Sequence, residues 1–86
     1  MDKYHIVISK SAQKKLNKLP DQIAEPLIKT IQSLADNPRP NGFKKLKGRD
    51  AFRIRKGTHR IIYEIHDNIL TVTVIGVGHR KDVYKK

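Results

Sequence analysis

The sequence contains no cysteine and no tryptophan, and it has only 8 acidic residues among 86. The absence of cysteine excludes disulfides, zinc–thiolate sites and thiol catalysis, and it fits a reducing compartment. No apolar run approaches the roughly 18 residues that a membrane-spanning helix needs. We therefore expect a single cytoplasmic domain over residues 1–86, with no membrane association and too small a core for a separate catalytic module.

Positive charge is the most pronounced feature of what is present. Nineteen lysines and arginines leave a formal net charge of +11 at pH 7. Such a chain binds polyanions, so nucleic acid is the leading candidate for a partner, and an acidic protein is the second.

The N-terminal part of the chain predicts a strand followed by a helix. Residues 4–8 alternate with Ile6 and Ile8 on one face, and Ser9 offers a cap to a helix over residues 10–19. One side of that helix is apolar, through Ala12, Leu16 and Leu19. The opposite side is a lysine stripe, made of Lys10, Lys14 and Lys18. The stripe is either a solvated surface or a surface that contacts RNA.

A second amphipathic helix follows Pro20 and ends at Asn37 and Pro38. Its predicted apolar side carries Ile23, Leu27, Ile31 and Leu34. Pro26 deletes a backbone donor within this pattern, so we expect the helix either to begin late or to bend there.

The rest of the chain predicts a basic loop and a sheet. Residues 38–48 form the loop, with Lys44, Lys45, Lys47 and a short strand around residues 43–46. Strands are predicted at residues 51–55, 58–65 and 69–77, joined by two-residue turns at Lys56-Gly57 and Asp67-Asn68. The order β-α-α-β-β-β predicts an α+β fold with two N-terminal helices packed on one face of a small antiparallel sheet.

Two-residue turns would also set the strand register. They place Arg53 opposite Arg60, Ile54 opposite His59, Ile61 opposite Val74 and Tyr63 opposite Val72. One face of the sheet is then apolar, with Phe52, Ile54, Ile61, Tyr63, Ile65, Leu70, Val72 and Val74. The other carries Arg53, Arg55, Arg60, Glu64, Thr71 and Thr73.

Three arginines on one face of a sheet repel one another unless an anion binds there. Guanidinium groups match phosphate oxygens in pairs and stay charged, which favours a phosphate site formed by Arg53, Arg55 and Arg60. The alternative is that these side chains extend into water and Glu64 offsets their charge. The same face carries Ala51, Ile62 and Ile75, so we expect a C-terminal segment or a partner helix to cover it.

The C-terminal residues add His79, Arg80 and Tyr84 after two glycines. A lone histidine is usually structural and a terminal tyrosine usually packs, but Tyr84 is also suited to stacking on a nucleobase.

Three segments together resemble the RelE/ParE toxin superfamily. They are Phe52-Arg-Ile-Arg55, Arg60-Ile-Ile-Tyr-Glu-Ile65, and Val77-Gly-His-Arg80 followed by Asp82-Val-Tyr84. The likeness extends to the Ser-Ala-Gln-Lys-Lys-Leu opening of the first helix and to the Asn-Pro exit of the second, so it covers nearly the whole chain. It is similar to the RelE branch, which implies a RelE-like fold.

The resemblance implies a ribosome-dependent endoribonuclease that cuts messenger RNA without a metal or other cofactor. In that reaction the ribose 2′-hydroxyl attacks the adjacent phosphate, and the enzyme stabilises the charge that develops. By position, Arg53 and Arg55 replace the family's basic pair, Arg60 and Arg80 match its phosphate-binding arginines, and Tyr84 matches its base-stacking tyrosine. The family pattern has lysines at positions 53 and 55; arginine is a poor general base, so we assign all four arginines to charge stabilisation.

Proton transfer then needs another group, and His79 is the candidate because its ordinary pKa suits the task. His59 has a similar claim, but strand parity turns it towards the helices, where a structural role is expected.

The resemblance also implies an acidic antitoxin protein as partner, in a toxin–antitoxin heterodimer or heterotetramer, and the ribosome with its mRNA as target. We expect ribosomal RNA to be gripped by Lys10, Lys14, Lys18, Lys44, Lys45 and Lys47. Two alternatives stay open: a ParE-like inhibitor of DNA gyrase, and a non-catalytic module that binds RNA or ribosomes.

Overall fold

The computed structural model describes residues 3–79. The order of elements is β1 His5–Ile8, α1 Lys10–Lys18, α2 Asp21–Ser33, β2 Lys44–Lys45, β3 Phe52–Lys56, β4 His59–His66, a 3-10 turn Asp67–Ile69, and β5 Thr71–His79. The predicted α+β fold is confirmed, including the short strand in the basic loop. None of the helices in residues 3–79 is long and apolar enough to cross a membrane.

The five strands form one sheet in the order β1-β5-β4-β3-β2. The predicted antiparallel pairing holds for β2 to β5, but β1 runs parallel to β5. A parallel neighbour requires a long crossover connection, and both helices lie between β1 and the other strands in the chain. Ile6 pairs with Val72 and Ile8 with Val74, so β1 extends the apolar face of the sheet.

The first helix forms as its sequence predicts. The Ser9 hydroxyl accepts a hydrogen bond from the Ala12 amide at 3.2 Å, which satisfies one of the free donors of the first turn. Ala12 and Leu16 are buried. The predicted apolar side therefore packs inwards, and α1 lies against β5.

The second helix corrects two expectations. It begins at Asp21 and continues through Pro26, which excludes the late start, one of the two alternatives expected from Pro26. Ile23 is 38% exposed, whereas Ala24, Leu27 and Ile31 are buried. The side facing the core keeps the predicted Leu27, Ile31 and Leu34, and it begins with Ala24 rather than Ile23.

The core lies between the helices and one face of the sheet. Its completely buried side chains include Leu27, Ile31, Leu34, Ile61, Tyr63, Val72 and Val74. The Tyr63 hydroxyl donates a 2.8 Å hydrogen bond to the Pro38 carbonyl, which fastens the loop after α2 to the sheet. Burial raises the pKa of Tyr63 to about 12.

The predicted register between β3 and β4 is wrong by two residues. Arg55 pairs with Arg60, Arg53 with Ile62, and Ile54 with Ile61, since the turn residues are Gly57 and Thr58. Gly57 has a φ of 63°, and glycine at the first turn position is what a type II′ hairpin requires. A shift of two residues leaves every side chain on its predicted face.

The connection between β4 and β5 is longer than the predicted two-residue turn. It contains the 3-10 turn and then Leu70, whose φ of 47° is left-handed, so Leu70 is not part of the apolar strand face. Tyr63 therefore pairs with Val74 and Ile65 with Val72, which corrects the predicted partners. The difference is again two residues, and these four side chains stay on the core face.

A β-bulge then changes the second half of β5. Tyr63 pairs with Val74 but Ile62 pairs with Gly76, so Ile75 is an extra residue on β5. Beyond the bulge the alternation is reversed by one position. Val77, 4% exposed, joins the core, while Gly76 and Gly78 lie on the opposite face.

Candidate functional site

The face of the sheet opposite the helices carries a row of cations across three strands. Arg55 on β3 pairs directly with Arg60 on β4, Arg53 lies two residues from Arg55, and Lys44 on β2 pairs with Arg53. We call Arg53, Arg55 and Arg60 the arginine row and this side of the sheet the arginine face. The predicted grouping of the three arginines is confirmed, although the directly opposed pair is 55 and 60 rather than 53 and 60.

Burial differs within the arginine row. Arg60 is only 2% exposed, Arg53 is half-buried and Arg55 is exposed. Like charges directly opposite each other destabilise a sheet, and an anion bound near them offsets the repulsion. A bound phosphate would contribute the opposite charge and accept several of the guanidinium hydrogen bonds.

Glu64 was the candidate for offsetting these charges within the sheet. Its carboxylate lies 3.0 Å from Nε2 of His66 on the same strand.

Glycines stand beside the arginine row on the neighbouring strand. Arg60 pairs with Gly78 and Ile62 with Gly76, so β5 presents no side chain at either position. This leaves a cleft of about 270 Å³, lined by Lys15, Arg49, Ile62, Ile75, Gly76, Val77 and Gly78. We call it the β5 cleft. On the other side of the row, a second cleft of about 290 Å³ is lined by Asn41, Gly42, Lys44, Arg53, Ile54 and Arg55.

The apolar residues of the arginine face are less open than expected. Ala51 and Ile62 are 1% and 5% exposed, and Ile75 is half-buried. These residues do not form an exposed apolar surface, so they supply no separate argument for a covering partner.

The structure does not bring His79 to the arginine row. His79 pairs with His59, next to the Arg60–Gly78 pair, and therefore lies on the face opposite to Arg60. The two imidazole rings meet edge to face, with centroids 5.7 Å apart. The bulge at Ile75 is the cause, because without it alternation would place residue 79 on the arginine face. His59 lies on the helix side, as strand parity predicts.

The predicted lysine groups are exposed at opposite edges of the molecule. Lys10, Lys14 and Lys18 are exposed on α1, which packs beside β5. Lys44, Lys45 and Lys47 are exposed in and after β2, the far edge strand of the sheet. The two lysine groups are therefore separated by the width of the sheet. Arg80 and Tyr84 lie outside the described residues.

Lys15 and Arg49 are the charged residues of the β5 cleft that sequence reasoning missed. Lys15 adjoins the lysine stripe of α1 without belonging to it, and Arg49 is one cation among many in a basic loop. No local pattern relates two positions so far apart, since they meet only where β5 extends beyond the end of β1.

Comparison with known proteins gives a consistent answer over almost the whole chain. Residues 6–84 match the family model described as ParE toxin of type II toxin-antitoxin system, parDE. Toxin RelG of Mycobacterium tuberculosis is 33% identical over 86 residues, covering 96% of this chain and 98% of that protein. Toxin RelE of the same organism is 29% identical over 85 residues, covering 95% and 87%.

Solved structures agree. The toxin of the RelBE2 toxin–antitoxin complex from Mycobacterium tuberculosis superimposes with a TM-score of 0.81 at 30% identity, over 91% of this chain and 99% of that one. The corresponding chain of the intact Escherichia coli RelBE toxin–antitoxin complex gives 0.77 at 29% identity, over 88% and 95%.

Proposed function

The chain belongs to the RelE/ParE family of type II toxin–antitoxin toxins, and we propose that it acts as an endoribonuclease on messenger RNA held in the ribosome. The observation that carries the proposal is the arginine row, in which a buried Arg60 lies directly across from Arg55 on a face bordered by two basic clefts. This arrangement suits a phosphodiester whose negative charge increases during the reaction.

In the proposed reaction the ribose 2′-oxygen forms a bond to the adjacent phosphorus and the bond to the 5′-oxygen breaks. The 2′-hydroxyl loses its proton and the leaving 5′-oxygen gains one. The products are a 2′,3′-cyclic phosphate and a 5′-hydroxyl. Arg55 and Arg60 bind the non-bridging oxygens of the pentavalent intermediate, and Arg53 binds the neighbouring backbone. Because arginine stays protonated, these residues stabilise charge rather than move protons.

The structure separates His79, the histidine nominated for proton transfer, from the arginine row. His79 lies on the other face from Arg60, so we leave it out of the chemical step and assign it to packing against His59. Arg80 and Tyr84 keep the roles that the resemblance implies, a second phosphate contact and stacking on the target base.

The charge of the chain and the complexes formed by its relatives indicate its partners. The relatives of known structure include toxins in complex with their antitoxins, and a chain with a net charge of +11 attracts an acidic protein. We propose an acidic antitoxin as the regulatory partner, in a heterodimer or heterotetramer. Ribosomal RNA is the second polyanion, and the proposed contacts to it are the exposed lysines of α1 and of the loop around β2.

Primer extension on a defined mRNA tests the proposal. The message is programmed into ribosomes with an empty decoding site and incubated with purified protein, and the same message without ribosomes is the control. Cleavage within the decoding-site codon, absent from the free message, is the expected result. Intact message together with inhibition of gyrase supercoiling would replace the proposal with the gyrase alternative, and intact message with salt-sensitive ribosome binding would select a non-catalytic binding protein.

A further inference from the structure

We propose that the β5 cleft is a second RNA-binding subsite, in which Lys15 and Arg49 bind the phosphates on either side of one nucleotide whose base lies on the floor of the cleft. The proposal rests on the proposed function for the identity of the ligand. It adds two residues outside the arginine row and a region of the sheet that carries no reacting group.

The cleft adjoins the arginine row directly. Gly78, which lines it, is the strand partner of Arg60, and Ile62 on its floor is two residues from Arg60 along β4. At about 3.4 Å per residue, the floor begins roughly 7 Å from Arg60 along the strand. One RNA strand can therefore contact both places.

The lining suits one nucleotide. Lys15 comes from α1 and Arg49 from the loop before β3. The half-buried Ile75 and Gly76 form the accessible apolar floor, above the nearly buried Ile62. Both cations are exposed, as residues that bind a backbone phosphate need to be. The volume of about 270 Å³ is slightly below the roughly 300–1,000 Å³ typical of ligand sites, which fits one base rather than a larger ligand.

The chemistry of the subsite predicts tolerance of base identity. Its floor offers apolar contact, and its charged groups are cations suited to phosphate rather than to base edges. The subsite therefore holds the strand in place beside the arginine row and adds affinity without selecting a sequence.

The test measures binding of a fluorescent single-stranded RNA in which every ribose is 2′-O-methylated, so that attack by a 2′-oxygen is blocked. The variant Lys15→Ala/Arg49→Ala is compared with Lys29→Ala/Lys56→Ala, whose two cations line a separate pocket on the helix side. Both variants lower the net charge by two. We expect roughly tenfold weaker binding for the first, and a slope of log affinity against log salt that is shallower by about 1.4, with little change for the second.

A neutral variant separates shape from charge. A Cβ at Gly76 would lie 3.5 Å from Ile62 Cβ, an ordinary contact, so Gly76→Ala should fold while narrowing the floor. We expect it to weaken RNA binding and to leave the salt slope unchanged.

Equal losses in the two charge variants, or no loss in either, would overturn the proposal. It would also be overturned if Lys15→Ala/Arg49→Ala kept its RNA affinity but lost affinity for a poly-glutamate peptide, since the cleft would then be a docking site for acidic protein. The proposed function is tested separately: RNA binding that depends on Lys15 and Arg49 without ribosomal cleavage would refute the nuclease and leave the subsite standing.

Discussion

Two groups of charged residues, one around Asp67 and the other the arginine row, differ in the neighbours of their arginines. At the turn after β4, Arg39 donates to both carboxylate oxygens of Asp67, at 2.8 and 3.4 Å, and Tyr4 donates to the same carboxylate at 2.5 Å. The arginine row instead sets Arg55 directly against Arg60. The first cluster connects three segments of the fold, whereas the second concentrates charge of one sign.

Ionisation at the first cluster reflects this balance. The hydrogen bond from Arg39 lowers the pKa of Asp67, and the hydrogen bond to Asp67 raises the pKa of Tyr4. Each group stabilises the charge state of its neighbour, which is what a structural contact does. An arginine paired with a carboxylate stabilises the fold, whereas arginines directly opposite each other on a sheet form a surface that attracts an anion.

The largest expected effect comes from removing Arg60. Arg60→Ala should lower ribosomal cleavage by roughly 100- to 1,000-fold and abolish toxicity, because a charge-stabilising donor is lost. Arg39→Ala is the matched control and should leave cleavage within about twofold. Initial rates of primer-extension product give the measurement, and circular dichroism checks the fold. Arg60→Gln, which keeps much of the side-chain volume, separates loss of charge from loss of packing; a folded Arg60→Gln toxin with normal activity would remove Arg60 from the site.

The next effect concerns the loop that carries Arg39. Tyr63→Phe removes the hydrogen bond to the Pro38 carbonyl and should reduce the free energy of unfolding by about 1–3 kcal/mol. Since burial raises the pKa of Tyr63 to about 12, its contribution is complete below about pH 10 and is lost as the pH rises towards 12. Urea unfolding from pH 8 to 11.5 should therefore show a smaller difference between the two proteins at high pH. A constant difference would contradict this assignment.

The stabilising contribution of the Asp67 carboxylate should be lost in acid. Because the pKa of Asp67 is lowered, its contribution is present above about pH 4 and disappears as the pH falls through the folded-state value. Asp67→Asn should lower Tm by a few degrees at pH 7, a small effect because the pair is solvent-exposed. Thermal melts at pH 7 and pH 3 should show this difference shrinking in acid. Asp36→Asn is the control, because the Asp36 carboxylate has a longer contact with Lys3, at 3.6 Å. Its Tm should change less than that of Asp67→Asn.

The smallest effect has the opposite sign. Arg55→Ala removes the repulsion across the Arg55–Arg60 pair and should raise the free energy of unfolding by a few tenths of a kcal/mol, while ribosomal cleavage falls. Chemical denaturation paired with the cleavage assay measures both quantities. If Arg55→Ala were destabilised, the pair would be supporting the fold, and the contrast with the Arg39 cluster would be lost.

Much of the fold followed from local sequence. Ser9 and the spacing of Ala12 and Leu16 were enough to place α1, and alternation was enough to place the apolar face of the sheet. The β3–β4 register was predicted wrongly because its two-residue turn lies one position later, at Gly57 and Thr58. The β4–β5 register was predicted wrongly because that connection is longer than two residues. Since each error was an even number of residues, the arginine row survived both.

The candidate site was predictable only in part. Strand alternation grouped Arg53, Arg55 and Arg60, and this grouping is confirmed. His79 was nominated for its chemistry rather than its place in a strand, and the structure puts it on the other face, after the bulge at Ile75. No sequence pattern predicted that Lys15 and Arg49 would lie together, because they are 34 positions apart in the sequence and meet only at the β5 cleft.

The sequence by itself determined the charge, the order of elements and the separation of an apolar face from an arginine face. These depend on composition and on alternation with a period of two, which is a local property of the chain. Tertiary structure alone decided that Arg60 faces Arg55, that glycines leave a cleft beside them, and that His79 turns away. The pairing of Arg60 with Arg55 depends on the position of the β3–β4 turn. The cleft and the orientation of His79 depend on one extra residue in β5. Both features depend on how the helices and strands pack together.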